Sequence, residues 1–246
     1  MQTYHSNILD FNAFLAHTTS LSLAIDDLEN SFASGDLPEN SIEDNFRWIL
    51  AIAEESVSFI SAERDKRKIF DLIFRHATGA LYRHWTDWRI CLLFATVPLC
   101  SEPSARSKLE SYIKRRQKLL WGSNHYTDER YQLQELQHLL LETFGCKSAA
   151  LAYMMQNIDN SRFRRVIIES TIANKQYDKA LAFCFEGEKR DYDNVGLTMQ
   201  WKHFRYTIYE AIGDTTAQRV TALELFQKGN LQYYEQLVKL GQLASR

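Results

Sequence analysis

Apolar residues recur along this chain at the three- and four-residue spacing of helices, and one short pattern returns three times in the second half. Ala150-Leu151-Ala152-Tyr153-Met154-Met155-Gln156-Asn157 is echoed by Ala180-Leu181-Ala182-Phe183-Cys184-Phe185-Glu186-Gly187, and again by Ala222-Leu223-Glu224-Leu225-Phe226-Gln227-Lys228-Gly229. The small residue lets a neighbouring helix come close, and large apolar residues fill the space beside it before a polar position ends the face. Each copy predicts the second helix of a helix-turn-helix unit. The equivalent alanines stand 30 and then 42 residues apart, an irregular spacing around the roughly 34-residue tetratricopeptide period. The predicted fold is all-α: an irregular right-handed α-solenoid of TPR-like helix pairs. A helical region over 1–122 is expected to run continuously into a helical-repeat region over 123–246.

The first half is patterned the same way. Ile8, Phe11, Phe14, Leu15, Leu21, Ile25, Leu28 and Phe32 follow a mostly helical period, and Ser34-Gly35-Asp36-Leu37-Pro38 breaks it. Ser41 to Asp44 has the form of a capping box. Apolar stripes follow through Phe46, Ile49, Leu50, Ala53, Val57 and Ile60, then through Ile69, Leu72, Ile73, Ala77, Ala80 and Leu81, on either side of the mixed-sign run Arg64 to Lys68. Trp85, Trp88 and Leu92 share a core-facing side, and Pro98 ends that helix. A helix from Ser104 to about Trp121 places Leu109, Tyr112, Ile113, Leu119 and Leu120 inward, and Gly122 to Tyr126 forms a loop. Beyond it, Tyr131, Leu133, Leu136, Leu139, Leu140 and Phe144 resume the stripe until Gly145. In the repeat region the inward positions are Phe163, Val166, Ile167 and Ser170, then Tyr177, Ala180, Leu181 and Cys184. They continue with Leu197, Trp201, Phe204, Ile208 and Ala211, then Leu231, Tyr234, Leu237, Val238 and Gly241.

Composition agrees with helices. Nine Gly and three Pro in 246 residues are too few for the many special turns of a β-rich fold. A hydrophobic share of 45% with 24% charged residues is that of a globular chain. A net charge of −2 creates no global attraction to nucleic acid or anionic lipid. No apolar run reaches the roughly 20 residues that a membrane helix needs, so a cytoplasmic protein without membrane contact is expected. Cys91, Cys100, Cys146 and Cys184 lack ligand spacing and sit among apolar neighbours, which predicts buried reduced thiols and no metal.

Three sets of residues carry candidate chemistry. His84 and Asp87, at i and i+3, have the spacing to orient an imidazole, but no nucleophile stands beside them and a local helix pair is the commoner explanation. Lys114, Arg115, Arg116 and Lys118 make the most basic segment, a candidate nucleic-acid contact or a solvated helix end. Arg164, Arg165, Glu169, Lys202, Arg205, Tyr206 and Tyr209 are the candidate partner-binding residues of a solenoid surface.

The segments Asp159 to Arg165, Tyr177 to Leu181, Glu186 to Lys189 and Trp201 to Glu210, with Gly213-Asp214, resemble the C-terminal helical part of bacterial SWIM zinc-finger proteins, most firmly over 136–240. The resemblance implies a helical scaffold that accompanies a CxCx(n)CxH finger. This chain has no Cys-x-Cys and no Cys-x-His, so no zinc ligand carries over and no cofactor is expected. With no phosphate-binding glycine loop and no nucleophile-base arrangement, the functional expectation is a non-enzymatic scaffold or protein-interaction module binding a protein or peptide. The alternative is a nucleic-acid accessory domain using the basic 108–118 helix.

Overall fold

The computed structural model describes residues 62–80, 82, 85–120 and 127–243, together with 19, 20, 23, 44, 47, 50, 51, 54 and 55. The predicted break at 34–38, the cap at Ser41 and the loop at 122–126 lie outside the described residues. Among the described residues there are ten α-helices, one 3-10 segment and no strand. The chain divides into two compact units, Met1–Ala150 and Leu151–Arg246.

The first unit is built on α1 (Glu63–Ala77), α2 (Thr86–Ala95), the 3-10 segment Val97–Ser101, α3 (Pro103–Leu120) and α4 (Thr127–Phe144). Ile69, Phe70 and Ile73 of α1 join Leu92 and Leu93 of α2, Leu109 and Ile113 of α3 and Leu133, Leu136 and Leu140 of α4 in one buried cluster. The charged run of α1 faces out as a lattice of short pairs: Lys66 to Glu63 at 2.8 Å, Lys68 to Asp65 at 3.2 Å, and Arg67 to Asp71 at 2.9 Å. Such exposed pairs are screened by water and salt and contribute little; the core holds the helix in place. Pro98 lies in the first turn of the 3-10 segment, where its missing N–H leaves no bond unmade. Glu102 caps α3, its carboxylate accepting the backbone N–H of Ser104 at 3.1 Å and of Ala105 at 3.0 Å. Gly145 follows α4 because a Cβ there would stand 2.6 Å from the Leu141 carbonyl oxygen.

Helix α5 (Lys147–Gln156) contains the division between the units. The second unit continues through α6 (Ser161–Ala173), α7 (Tyr177–Arg190), α8 (Val195–Ile212), α9 (Thr215–Gln227) and α10 (Tyr233–Leu243). Each of these packs on the next in sequence, and α8 also reaches α6. Asn160, Asn194 and Asp214 cap α6, α8 and α9, accepting the N–H of Arg162, Leu197 and Ala217. Ile168, Ala180, Cys184, Trp201 and Ile208 form one cluster, and Tyr206, Ala222, Leu225, Tyr233 and Leu240 another. Helix α8 thus feeds both clusters from two sides. Ala150, Ala180 and Ala222 are all buried.

Several expected stripes are turned. Leu119 is 74% exposed while Leu120 is buried, because the inward line of α3 runs through Ala105, Leu109 and Ile113 and leaves position 119 to one side. Val166 is exposed, and Arg164, Ile168 and Thr171 go inward beside Phe163 and Ile167. Helix α6 meets both α7 and α8, which widens its buried face. In α10 the buried line is Tyr233 and Leu240 with Leu237 against them, whereas Tyr234 and Val238 are exposed, as is Leu231, which lies in the turn before the helix begins. Ala80 and Ala211 are also exposed, Ala80 because α1 has already ended at Ala77. Among the cysteines, Cys100 and Cys184 are buried, but Cys91 and Cys146 are exposed free thiols.

Candidate functional site

The candidate partner-binding residues do not form one face. Arg164 is wholly buried; its Nη1–H donates to Asp191 Oδ2 at 2.9 Å, and the same oxygen accepts the Trp201 indole N–H at 2.8 Å. The guanidinium lies over the Trp201 ring at 5.5 Å, which supplies cation-π attraction where Nε and Nη2 have no hydrogen-bond partner. Gly187 makes this packing possible. A Cβ there would stand 2.9 Å from Trp201 Cδ1 and 3.0 Å from Arg164 Cδ. Arg165 and Glu169 are exposed on the opposite side of α6, 4.0 Å apart.

Lys202 and Arg205 turn toward acids on the neighbouring helices. Arg205 Nη2 donates to Glu224 Oε2 at 2.7 Å, Lys202 pairs with the same oxygen, and Lys202 Nζ stands 3.5 Å from Glu188 Oε2. Arg205 Nε is 2.8 Å from Glu188 Oε1, an ion pair by distance whose N–H does not point along the contact. Burial pushes the Glu188 carboxyl above its usual range, against the pull of Arg205 and Lys202. Two cations and two anions cancel, so this cluster joins α7, α8 and α9 and leaves little net charge for a ligand. Arg205 also covers the exposed Phe185 ring at 4.6 Å. Tyr206 is buried edge-on against Tyr233, and Tyr209 is half-buried.

A different place in the second unit is open. Val220 and Leu223, 54% and 45% exposed, line a cavity of about 580 Å³ with Thr215, Thr216 and Arg219 of α9 and Leu237 and Leu240 of α10. Sequence reasoning placed none of these as site residues. The available signal was Leu223 beside the seam residue Ala222, an apolar side chain on a flank where a soluble helix is usually polar.

On α3, Lys114, Arg115 and Lys118 are exposed and border a broad groove of about 710 Å³ with Phe74, Ser107, Lys108 and Ser111. Lys108 is already engaged, 2.7 Å from Asp71 and over the Phe74 ring at 5.0 Å. Arg116 departs from the other three. It folds inward onto Glu129, with Nε donating to Oε1 at 2.6 Å and Nη2 to Oε2 at 3.0 Å.

His84 lies outside the described residues, and Asp87 accepts from the Gln132 amide at 3.0 Å. Among the described residues no group of His, Cys, Asp and Glu could hold a metal ion, and no helix is long and apolar enough to cross a membrane. No family model matches the chain, and neither curated proteins nor solved structures give a significant match.

Proposed function

We propose that the chain is a non-enzymatic helical-repeat module, an irregular right-handed TPR-like solenoid, that binds a protein or peptide partner. The order of packing supports the solenoid reading: α6 to α10 each contact the next, α6 also meets α8, and two of the repeated alanines, Ala180 and Ala222, lie in the buried clusters between helices. The observation that carries the binding reading is the open α9–α10 groove. It exposes Val220 and Leu223 beside the cation of Arg219, which suits an amphipathic segment offering apolar anchors and one acidic residue. The candidate polar set contributes differently. Arg164, Lys202 and Arg205 hold the helices together, and Arg165 and Glu169 remain on an outer face.

The same reading makes the chain an accessory to a zinc-finger-bearing protein of the SWIM type; a CxCx(n)CxH segment upstream in the same reading frame would bear that out. The direct test displays random peptides against the full chain and against Leu223→Asp. Peptides with two or three apolar anchors should enrich on the wild type and bind the variant at least about tenfold more weakly, the loss of one buried anchor. No enrichment, or equal binding by the variant, sinks the groove as the partner site.

A further inference from the structure

The first unit contains a second concavity, beside the broad basic groove of α3, with which it shares Arg115. Its described lining is Thr78, Gly79 and Ala80 from the turn after α1, Arg89 of α2, and Tyr112, Arg115, Arg116 and Leu119 of α3. The volume is about 370 Å³, the scale of a small-molecule site. We infer that this cavity binds the phosphate group of a small phosphorylated ligand.

Charge is the first argument. Arg89 is 5% exposed, and its guanidinium donates to the Tyr82 carbonyl at 3.2 Å, to Thr86 Oγ1 at 3.4 Å and to Glu129 Oε1 at 2.6 Å. Glu129, only 2% exposed, is the same carboxylate that takes both contacts from Arg116. One buried anion therefore serves two guanidiniums. Arg115 adds a third cation on the rim, and no acidic residue occurs in the described lining. Among the described residues three guanidiniums border the cavity and one carboxylate, that of Glu129, stands behind them, a preponderance of positive charge that suits a phosphate monoester carrying about −1.5 to −2 at neutral pH.

Hydrogen bonding is the second argument. Arg89 Nε is buried with no hydrogen-bond partner, a donor that Glu129 does not take. Glu129 meanwhile fixes the planes of two guanidiniums in advance, so little side-chain freedom is lost when an oxyanion arrives. Tyr112 adds a half-buried ring to the wall, suited to an apolar or aromatic portion of the ligand. A polynucleotide backbone would instead need a track of cations. The track available on this helix runs through Lys114 and Lys118, which line the neighbouring groove and not this cavity.

Those two lysines make the test specific. Inorganic phosphate and phenyl phosphate are titrated calorimetrically into the full chain at constant ionic strength, with a single-stranded oligonucleotide as a third probe. Saturable one-to-one binding of both phosphates is expected. Arg115→Ala, an exposed position whose loss leaves the core untouched, should weaken it about ten- to hundredfold, as removal of a charge-assisted hydrogen bond does. Lys114→Ala and Lys118→Ala should leave it within about twofold, since neither side chain lines the cavity and a charge outside it acts only through screening solvent. Absence of saturation by about 10 mM phosphate, weaker than any useful affinity, overturns the inference. So does an equal loss in the lysine variants, or oligonucleotide binding that phosphate does not displace, either of which would assign the charge to a nucleic-acid track.

Discussion

At the scale of single residues, the four thiols differ in reactivity because their surroundings differ. Cys146 is exposed with its Sγ 3.2 Å from Ser148 Oγ, and the Ser148 hydroxyl and the backbone N–H groups at the start of α5 hold its thiol below the usual range. Burial pushes Cys91 up, with Asp87 adding to the effect, and pushes Cys100 and Cys184 up to about 12. A lowered thiol carries more thiolate at a given pH, and the thiolate is the nucleophile. Iodoacetamide at pH 7.5 should therefore modify Cys146 first and Cys91 more slowly, with Cys100 and Cys184 reacting only after denaturant is added. Peptide mass spectrometry over a time course reads the order; early labelling of Cys184 would contradict the packing of Trp201 and Ala180 around it.

At the scale of elements, three helices of the second unit end alike. After α8, Gly213 has φ 76° and the Asp214 N–H reaches back to the Tyr209 carbonyl at 3.0 Å; after α9, Gly229 has φ 95° and Asn230 reaches Leu225 at 3.1 Å. These are Schellman ends, in which the left-handed residue lets the chain satisfy the last free carbonyls. The third, after α6, puts Lys175 at φ 58°, with Gln176 bonded to Thr171 at 3.0 Å. A side chain in that conformation costs about 1 kcal/mol relative to glycine. Lys175→Gly should accordingly raise stability by about 0.5–1 kcal/mol in urea unfolding, while Gly213→Ala should lower it by about 1 kcal/mol. Nothing lies within 4 Å of a Cβ at Gly213, so the second effect isolates the backbone. Equal midpoints for the three proteins would remove the strain argument.

At the scale of the whole molecule, stability should be graded within each unit according to how many sides of a helix are covered. Helix α8 is packed by α7, α9 and α6 and contributes Trp201 and Ile208 to one cluster and Tyr206 to the next, whereas α10 rests on α9. Local opening follows such coverage, since a helix with few buried contacts separates at little cost. Hydrogen exchange followed by mass spectrometry should find the amides of Trp201 to Ile208 among the slowest in the second unit and those of α10 at least about tenfold faster, an opening difference of about 1.4 kcal/mol. Slower exchange in α10 than in α8 would reverse that ranking.

Helical content was legible in the chain because its causes are local. Few Gly and Pro, an apolar period of three to four, and the stop signals Gly145, Gly213 and Gly229 depend on neighbours within one turn, and the observed α8 spans the predicted Val195 to Ile212. Small residues at the seams were legible for the same reason, and Ala180 and Ala222 are fully buried. What periodicity leaves undetermined is which of two adjacent stripes faces inward, as Val166 and Val238 show. That choice depends on a second helix covering the flank. Nor does residue type say whether an arginine meets water or the interior. Arg164 finds its carboxylate 27 residues away, and Arg89 finds Glu129 after 40. A charge can be buried only where such a partner is delivered by the fold, so Arg164 and Arg205 became parts of the core and Arg165 stayed outside. Tertiary packing also made the three concavities, because a cavity is the space that neighbouring helices fail to fill and has no pattern of its own along the chain.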